Sequence, residues 1–429
     1  MAENPKEAIA IDSTSGACKP PERQSWIWRW VNAYLAGLAI VFMLGGVEWF
    51  QRAHMLDGNT DFTTFYVASR LMREAPQRLY DLSWQLKTQT EVLGDYKPPE
   101  GFLPYIHPPF EAFLFLPLTT VPFRVALLLW MVISLALLLM LPSFLCRSKS
   151  NPLKDQSLTC FLGALAFFPF LACLWRGQTS ILVLWALVLF HSMLVSRKEG
   201  WAGFFLALGF IKFHLTYLFL IPLLVGRRFR ALASAALTLM ALVAASMWWL
   251  GASTLLNYPR VMLDMATTLG KMANPQGKMQ CWLGQAYLLG FEQVHGLVGR
   301  GAVAIVAVIL SFWIWKGWTN ERTSFDVRFA ALILLAVLAS PHNHVYDLSL
   351  VYFSEMLLLR TLLAGENAIP QVRLVGIMLA VSPLVWLLTL WVAGHTRIQI
   401  SVVWMTIVLV IALGWIPRPG HRSLPLEAE

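Results

Sequence analysis

Charged side chains are scarce in this 429-residue chain, in which Asp, Glu, Lys and Arg make up 13% of the residues. Soluble globular proteins carry about 25% charged residues, because their surface must face water. The scarcity excludes the two or three soluble domains that the length alone would suggest. Hydrophobic residues make up 57% of the chain and the mean hydropathy is +0.60, which indicates that most of the surface faces lipid.

The cysteines indicate neither a disulfide framework nor a zinc site. The five cysteines are odd in number and scattered, and none stands in a CxxC pair. This excludes a disulfide scaffold and a cysteine-ligated zinc site. The residues are Cys18, Cys146, Cys160, Cys173 and Cys281.

The net charge of +9 does not indicate nucleic-acid binding. Lys and Arg stand in short clusters between apolar runs, as the positive-inside rule predicts for a membrane protein. We therefore expect membrane lipids as partners, and no nucleic acid.

Long hydrophobic runs predict an all-α polytopic membrane protein. A helix needs about 20 apolar residues to cross the hydrocarbon core, and we expect about 11–13 transmembrane or re-entrant helices. They form a single domain over residues 25–417, between disordered cytoplasmic tails at 1–24 and 418–429. The predicted spans are 26–50, 123–145, 158–175, 180–196, 230–250, 299–317, 326–340, 345–363, 371–392 and 397–416.

Basic residues in the short loops predict a cytoplasmic N-terminus. The long loops at 51–122 and 251–298 then lie on the non-cytoplasmic side.

The apolar run at 201–225 has basic residues at both ends and Lys212-Phe213-His214 at its midpoint. A single span would place the lysine at mid-bilayer, at a cost of roughly 2.5–3.5 kcal/mol. A re-entrant hairpin, with its tip in an outward-facing aqueous cavity, avoids this cost and keeps both basic ends in the cytoplasm. The alternative is an ordinary span in which Lys212 snorkels or is paired.

The 51–122 loop contains a carboxylate in a distinctive place. Asp61 precedes a stretch, 62–75, whose apolar spacing predicts an interfacial amphipathic helix. A carboxylate there can act as a general base. It can equally cap the helix, which on residue chemistry alone is the simpler interpretation, and Asp57 permits the same two roles.

Two short turns on the same predicted face carry further polar groups. Arg176 and Gln178 flank a glycine, and the turn at 340–347 holds His342 and His344. Two histidines at i, i+2 without a third ligand do not make a metal site, and donors to a phosphate or a sugar hydroxyl fit them better. The loop at 251–298 has the composition of a carbohydrate-binding or headgroup-binding surface, or of an ordinary loop.

Several short motifs follow one another over residues 25–415. In this order they resemble the GT-C glycosyltransferases, specifically glycosyltransferase family 87, which includes polyprenol-phosphate-mannose-dependent mannosyltransferases. The motifs are Asp61-Phe62 with Tyr66 and Ala68, Leu79-Tyr80-Asp81, Tyr105-Ile106-His107-Pro108-Pro109-Phe110, Pro117-Leu118, Gly177-Gln178, Lys212-Phe213-His214, and Ser340-Pro341 with His342, His344, Tyr346 and Asp347.

The resemblance implies a GT-C-like bundle that transfers a hexose, with mannose the first choice, from a polyprenyl-phosphate-linked sugar. The acceptor would be a lipid or glycan on the outer face of a bacterial inner membrane, and the configuration would invert. No Asp-x-Asp motif is present, in keeping with a lipid-phosphate donor, so we expect no metal or other cofactor. The implied base is Asp61, the implied donor-phosphate contacts are Lys212, His214, His342 and His344 (His344 preferred), and the further substrate-binding candidates are Tyr80, Tyr105, His107, Arg176 and Gln178.

Two other functions fit a polytopic protein with an intramembrane lysine. A transporter or flippase for lipid-linked sugars shares these features, although the chain shows no second copy of the 51–122 loop. A ligase that moves whole glycans could use the same residues.

Overall fold

The computed structural model describes residues 22–99, 101–147, 151–267, 278–291, 296–316, 324–364 and 370–414. Throughout these residues the chain forms helices and connecting segments without a strand, which confirms the all-α prediction. The predicted tails lie outside the described residues, except that 22–24 begin the first helix. The helices are α1 (Glu22–Arg52), α2 (Phe62–Glu74), α3 (Leu82–Leu93), α4 (Pro109–Ala112), α5 (Phe123–Cys146), α6 (Ser157–Leu165), α7 (Phe168–Arg176), α8 (Ser180–Val195), α9 (Glu199–Leu208), α10 (Phe213–Thr216), α11 (Leu220–Val225), α12 (Phe229–Leu250), α13 (Ala252–Thr267), α14 (Trp282–Leu288), α15 (Leu297–Lys316), α16 (Phe325–Leu338), α17 (Ser349–Leu363), α18 (Pro370–Thr396) and α19 (Ile400–Gly414).

Long apolar helices confirm a multi-pass membrane protein. Apolar side chains such as Val132 and Trp248 are 64% and 83% exposed, which lipid tolerates and water does not. A bent pair, Pro152–Leu165 with Phe168–Arg176, adds a sixth possible span, with a 51° change of direction. Within the described residues, the five helical segments long and apolar enough to cross a bilayer are Trp28–Arg52, Phe123–Cys146, Glu199–Val225, Phe229–Leu250 and Val298–Trp315.

The segment 199–225 doubles back, although its length and hydropathy would suit a single span. At its midpoint, Lys212 Nζ lies 2.9 Å from Ser180 Oγ, at the start of α8. Further on, Phe219 approaches Phe190 near the other end of α8, with ring centroids 6.0 Å apart. The segment 199–225 therefore begins and ends at the same end of the bundle, and its midpoint, Lys212, lies toward the opposite end.

The close approach of two helices holds the hairpin ends together. Arg228, just after α11, pairs with Glu199 at the start of α9 at 2.8 Å. A Cβ on Gly203 would lie 2.0 Å from the carbonyl oxygen of Ala231, so only glycine lets α9 pack this closely on α12. We call this end of the bundle the basic end, defined by Arg197, Lys198, Arg227, Arg228 and Arg230, and the opposite end, with residues 51–122, the loop end.

The first loop has a hydrophobic core of its own. The helix α2 begins and ends close to its predicted bounds, but Phe62, Phe65 and Met72 are fully buried. Apolar residues on more than one face of the helix explain why α2 packs inside the loop and does not lie on a surface. The neighbouring α3 exposes Trp84 and Leu86, and an interfacial position remains a prediction for that helix.

Candidate active site at the loop end

The turn after α7 is locked against the first loop. The indole N–H of Trp130 donates to the carbonyl oxygen of Gly177 at 3.0 Å, and the Thr60 hydroxyl donates to that of Trp175 at 3.2 Å. Gly177 has φ +61°, and a Cβ there would lie 2.6 Å from the Cβ of Phe62. The turn therefore requires glycine both for its backbone and for its contact with α2.

Asp61 stands at the start of α2 but does not cap it. Its carboxylate bonds to none of the N–H groups of that fully described helix. Instead, Oδ2 accepts a hydrogen bond of 2.7 Å from the Gln178 amide, and Oδ1 lies 3.7 Å from Arg176 Nη1. The side chain is 21% exposed, so the carboxylate is held in place and yet accessible.

Asp57 and Asp81, two other carboxylates of the first loop, have structural roles. Asp57 pairs with Arg124 at 2.7 Å and with His54 at 3.0 Å. Asp81 caps α3 by accepting hydrogen bonds from two N–H groups of its first turn.

Tyr346 brings a neutral hydroxyl close to Asp61. The Asp61 carboxylate is near enough for its charge to act on that hydroxyl. Burial, followed by the charge of Asp61, raises the pKa of Tyr346 well above 10, so the hydroxyl keeps its proton.

Lys212 is buried and completely paired. Its ammonium lies 2.8 Å from Gln178 Oε1, 2.9 Å from Ser180 Oγ and 2.6 Å from Asp347 Oδ1. Three N–H donors thus meet three acceptors, and the side chain is 3% exposed. This differs from the expected phosphate-binding lysine in an aqueous cavity, because the ammonium has no N–H left for a ligand.

Asp347 is the counter-charge of that lysine. Burial alone would raise the pKa of the Asp347 carboxyl, but the Lys212 ammonium outweighs burial and holds the pKa below its usual range. The carboxylate also accepts hydrogen bonds from the Ser180 hydroxyl at 2.7 Å and the His344 backbone N–H at 3.0 Å. One buried carboxylate therefore connects the hairpin tip, the start of α8 and the histidine turn.

The histidine turn lies beside this network. The rings of His342 and His344 are 4.8 Å apart, and His342 is exposed while His344 is half-buried. Burial lowers the pKa of His344 to about 4. The charges of Lys212 and Arg176 act in the same direction, and the charge of Asp347 acts in the opposite one. The ring is therefore neutral at pH 7. A neutral imidazole can still donate one hydrogen bond to a phosphate oxygen.

Two further histidines complete the polar surface. Nε2 of His214, next to the hairpin tip, is buried without a hydrogen-bond partner among the described residues. His107 Nδ1 lies 2.7 Å from Glu111 Oε2, and the Thr179 hydroxyl donates to Glu111 Oε1 at 2.7 Å. Glu111 is fully buried, so its carboxylate is closed to substrate.

Two predicted substrate-binding tyrosines are structural instead. Tyr105 is fully buried and its hydroxyl donates to the carbonyl oxygen of Pro108 at 2.7 Å. Tyr80 is 7% exposed and donates to that of His107 at 2.9 Å. Both hydroxyls are used to fold the loop, which corrects their assignment as substrate contacts.

Family membership follows from a comparison with known families. The model of glycosyltransferase family 87 matches residues 105–341, which is more than half of the chain. The chain belongs to glycosyltransferase family 87. This family 87 protein is therefore an enzyme of the transferase class, and the resemblance drawn from the motifs is confirmed. Comparisons with curated proteins and with solved structures find no match.

The matched region of this family 87 protein includes Arg176, Gln178 and Lys212. It begins after Asp61 and ends before His342. In the structure, Gln178 hydrogen-bonds to both Lys212 and Asp61 and so connects the matched region to Asp61. The sequence analysis assigned no role to Glu111, Ser180 or Asp347, although Asp347 belongs to the last motif and Glu111 directly follows Phe110.

Proposed function

We propose that this family 87 enzyme transfers a hexose, with mannose the first candidate, from a polyprenyl-phosphate-linked sugar to a lipid or glycan acceptor. Asp61 is the general base, and the reaction takes place at the loop end, on the non-cytoplasmic face of the membrane. The observation that carries the proposal is the accessible Asp61 carboxylate beside Arg176 and close to Tyr346 of the histidine turn.

In this mechanism the acceptor hydroxyl lies against Asp61 and attacks the anomeric carbon. The new C–O bond forms as the bond to the phosphate oxygen breaks, and the proton passes to Asp61. Attack opposite the phosphate inverts the configuration through an oxocarbenium-like transition state. Asp61 suits the role better than Glu111, because the Glu111 side chain is closed to solvent and the Asp61 side chain is 21% exposed.

Negative charge that develops on the leaving phosphate needs donors in a water-poor site. Arg176 supplies a guanidinium, and His342, His344 and the unpartnered His214 Nε2 supply neutral N–H groups. The lipid tail stays in the bilayer beside the site, which lowers the entropic cost of capturing the donor.

Membranes supplied with labelled polyprenyl-phosphate mannose test the proposal, with Asp61→Asn as the variant. Loss of a general base lowers turnover by roughly 10²–10⁴-fold. Asp57→Asn is the matched control, because it removes a carboxylate four residues away in the same loop and should leave turnover unchanged. Equal turnover in wild type and Asp61→Asn would remove Asp61 from the mechanism.

A further inference from the structure

The orientation of the Gln178 side chain is fixed by the charges on either side of it. A lysine ammonium can only donate hydrogen bonds and a carboxylate can only accept them. The amide oxygen must therefore face Lys212, at 2.8 Å, and the amide NH2 must face Asp61, at 2.7 Å. We infer that Lys212 is a positioning residue that acts through Gln178 on the Asp61 carboxylate; this inference rests on the proposed function.

Burial helps to keep the Gln178 amide in this one orientation. Gln178 is 4% exposed and Lys212 is 2% exposed, so water cannot take the place of either partner. Without the ammonium, the buried amide oxygen has lost its donor, and the Gln178 side chain can turn toward another donor and away from Asp61. The carboxylate then loses the hydrogen bond that holds Oδ2, and Oδ1 leaves the orientation needed to accept the acceptor proton.

A positioning role and a phosphate-binding role have different kinetic consequences. Loss of positioning lowers kcat and leaves the donor KM unchanged, because the interaction matters in the transition state. Loss of a phosphate contact raises the donor KM and weakens inhibition by the product, polyprenyl phosphate.

The experiment compares wild type, Lys212→Met, Gln178→Leu and the double variant in transfer assays. We expect each single variant to lose kcat on the order of 100-fold, the size of effect that a 1 Å misplacement produces. The double variant should lose no more than the worse single variant, because both changes break the same connection. Inhibition by polyprenyl phosphate should be unchanged in all three.

A second pair of variants separates positioning from folding. Lys212→Met leaves Asp347 buried without its counter-charge, whereas Lys212→Met/Asp347→Asn removes both charges. We expect the second change to restore thermal stability but not kcat. Ser180→Ala, which removes a Lys212 partner that does not touch Asp61, should keep most of the activity.

The outcomes distinguish the two proposals. If wild type transfers no hexose from any polyprenyl-phosphate donor, the proposed function fails. If wild type transfers and Asp61→Asn does not, but Lys212→Met raises only the donor KM or the losses in the double variant multiply, the positioning role of Lys212 is overturned. Recovery of kcat in Lys212→Met/Asp347→Asn would also overturn it, because stability alone would then explain the loss.

Discussion

Gly177 offers a sharp test of how the site is positioned, because the chain contains a control glycine that has the same φ and no close neighbour. Gly177 and Gly94 both have φ +61°. A Cβ on Gly94 meets no atom within 4 Å, whereas a Cβ on Gly177 would lie 2.6 Å from the Cβ of Phe62. Both alanine variants pay a backbone cost at positive φ, and Gly177→Ala adds the clash. Because ψ is 33° at Gly177 and −126° at Gly94, Gly94→Ala is the control for activity and not for the size of the stability loss.

The expected loss in the free energy of unfolding has two parts, a backbone cost and a packing cost. Gly177 has the left-handed conformation, with ψ 33°, in which alanine costs roughly 1–2 kcal/mol. Gly177→Ala adds an overpacking cost of about 1–3 kcal/mol. Phe62 is fully buried at the start of α2, so relief of the clash must move the helix start and Asp61 relative to Gln178. A displacement of this kind lowers kcat by up to about 100-fold.

Thermal unfolding in lipid nanodiscs and hexose transfer measure the two consequences. We expect Gly94→Ala to lose stability and keep full activity, and Gly177→Ala to lose stability and kcat together. Normal kcat in Gly177→Ala, or a kcat loss of the same size in Gly94→Ala, would refute the argument.

Two other predictions follow from the site. Because the lowered pKa of His344 keeps the ring neutral above about pH 4, His344→Gln, which can still donate a hydrogen bond, should retain a lower donor KM than His344→Ala; equal KM values would contradict a donor role. Tyr105→Phe should lose about 1 kcal/mol of stability, from the missing hydrogen bond to Pro108, with kcat and KM unchanged; a kinetic change would restore Tyr105 as a substrate contact.

Most of the fold could be predicted from the lengths of the hydrophobic runs. Apolar stretches of sufficient length form helices whatever their neighbours are, because a helix satisfies every backbone group in lipid within a single segment. The basic residues at both ends of 201–225, together with Lys212 at its midpoint, pointed to a chain that doubles back, and Arg228 lies against Glu199 in the structure.

Side-chain partners distant in sequence could not be predicted in the same way. The ion pair between Lys212 and Asp347 joins positions 135 residues apart, and no local pattern indicates it. A tyrosine in a loop, such as Tyr105, has the same sequence signature whether it faces a ligand or folds the loop. The difference lies in a carbonyl oxygen three residues away, at Pro108, and only the folded chain shows that contact.

A structure of the enzyme bound to a non-reactive polyprenyl-phosphate sugar tests the central claim most directly. The account predicts a phosphate oxygen at about 3 Å from Arg176 or His344, the anomeric carbon between that phosphate and Asp61, and Lys212 still bonded to Gln178. A phosphate bound away from the loop end, or an anomeric carbon out of reach of Asp61, would contradict it.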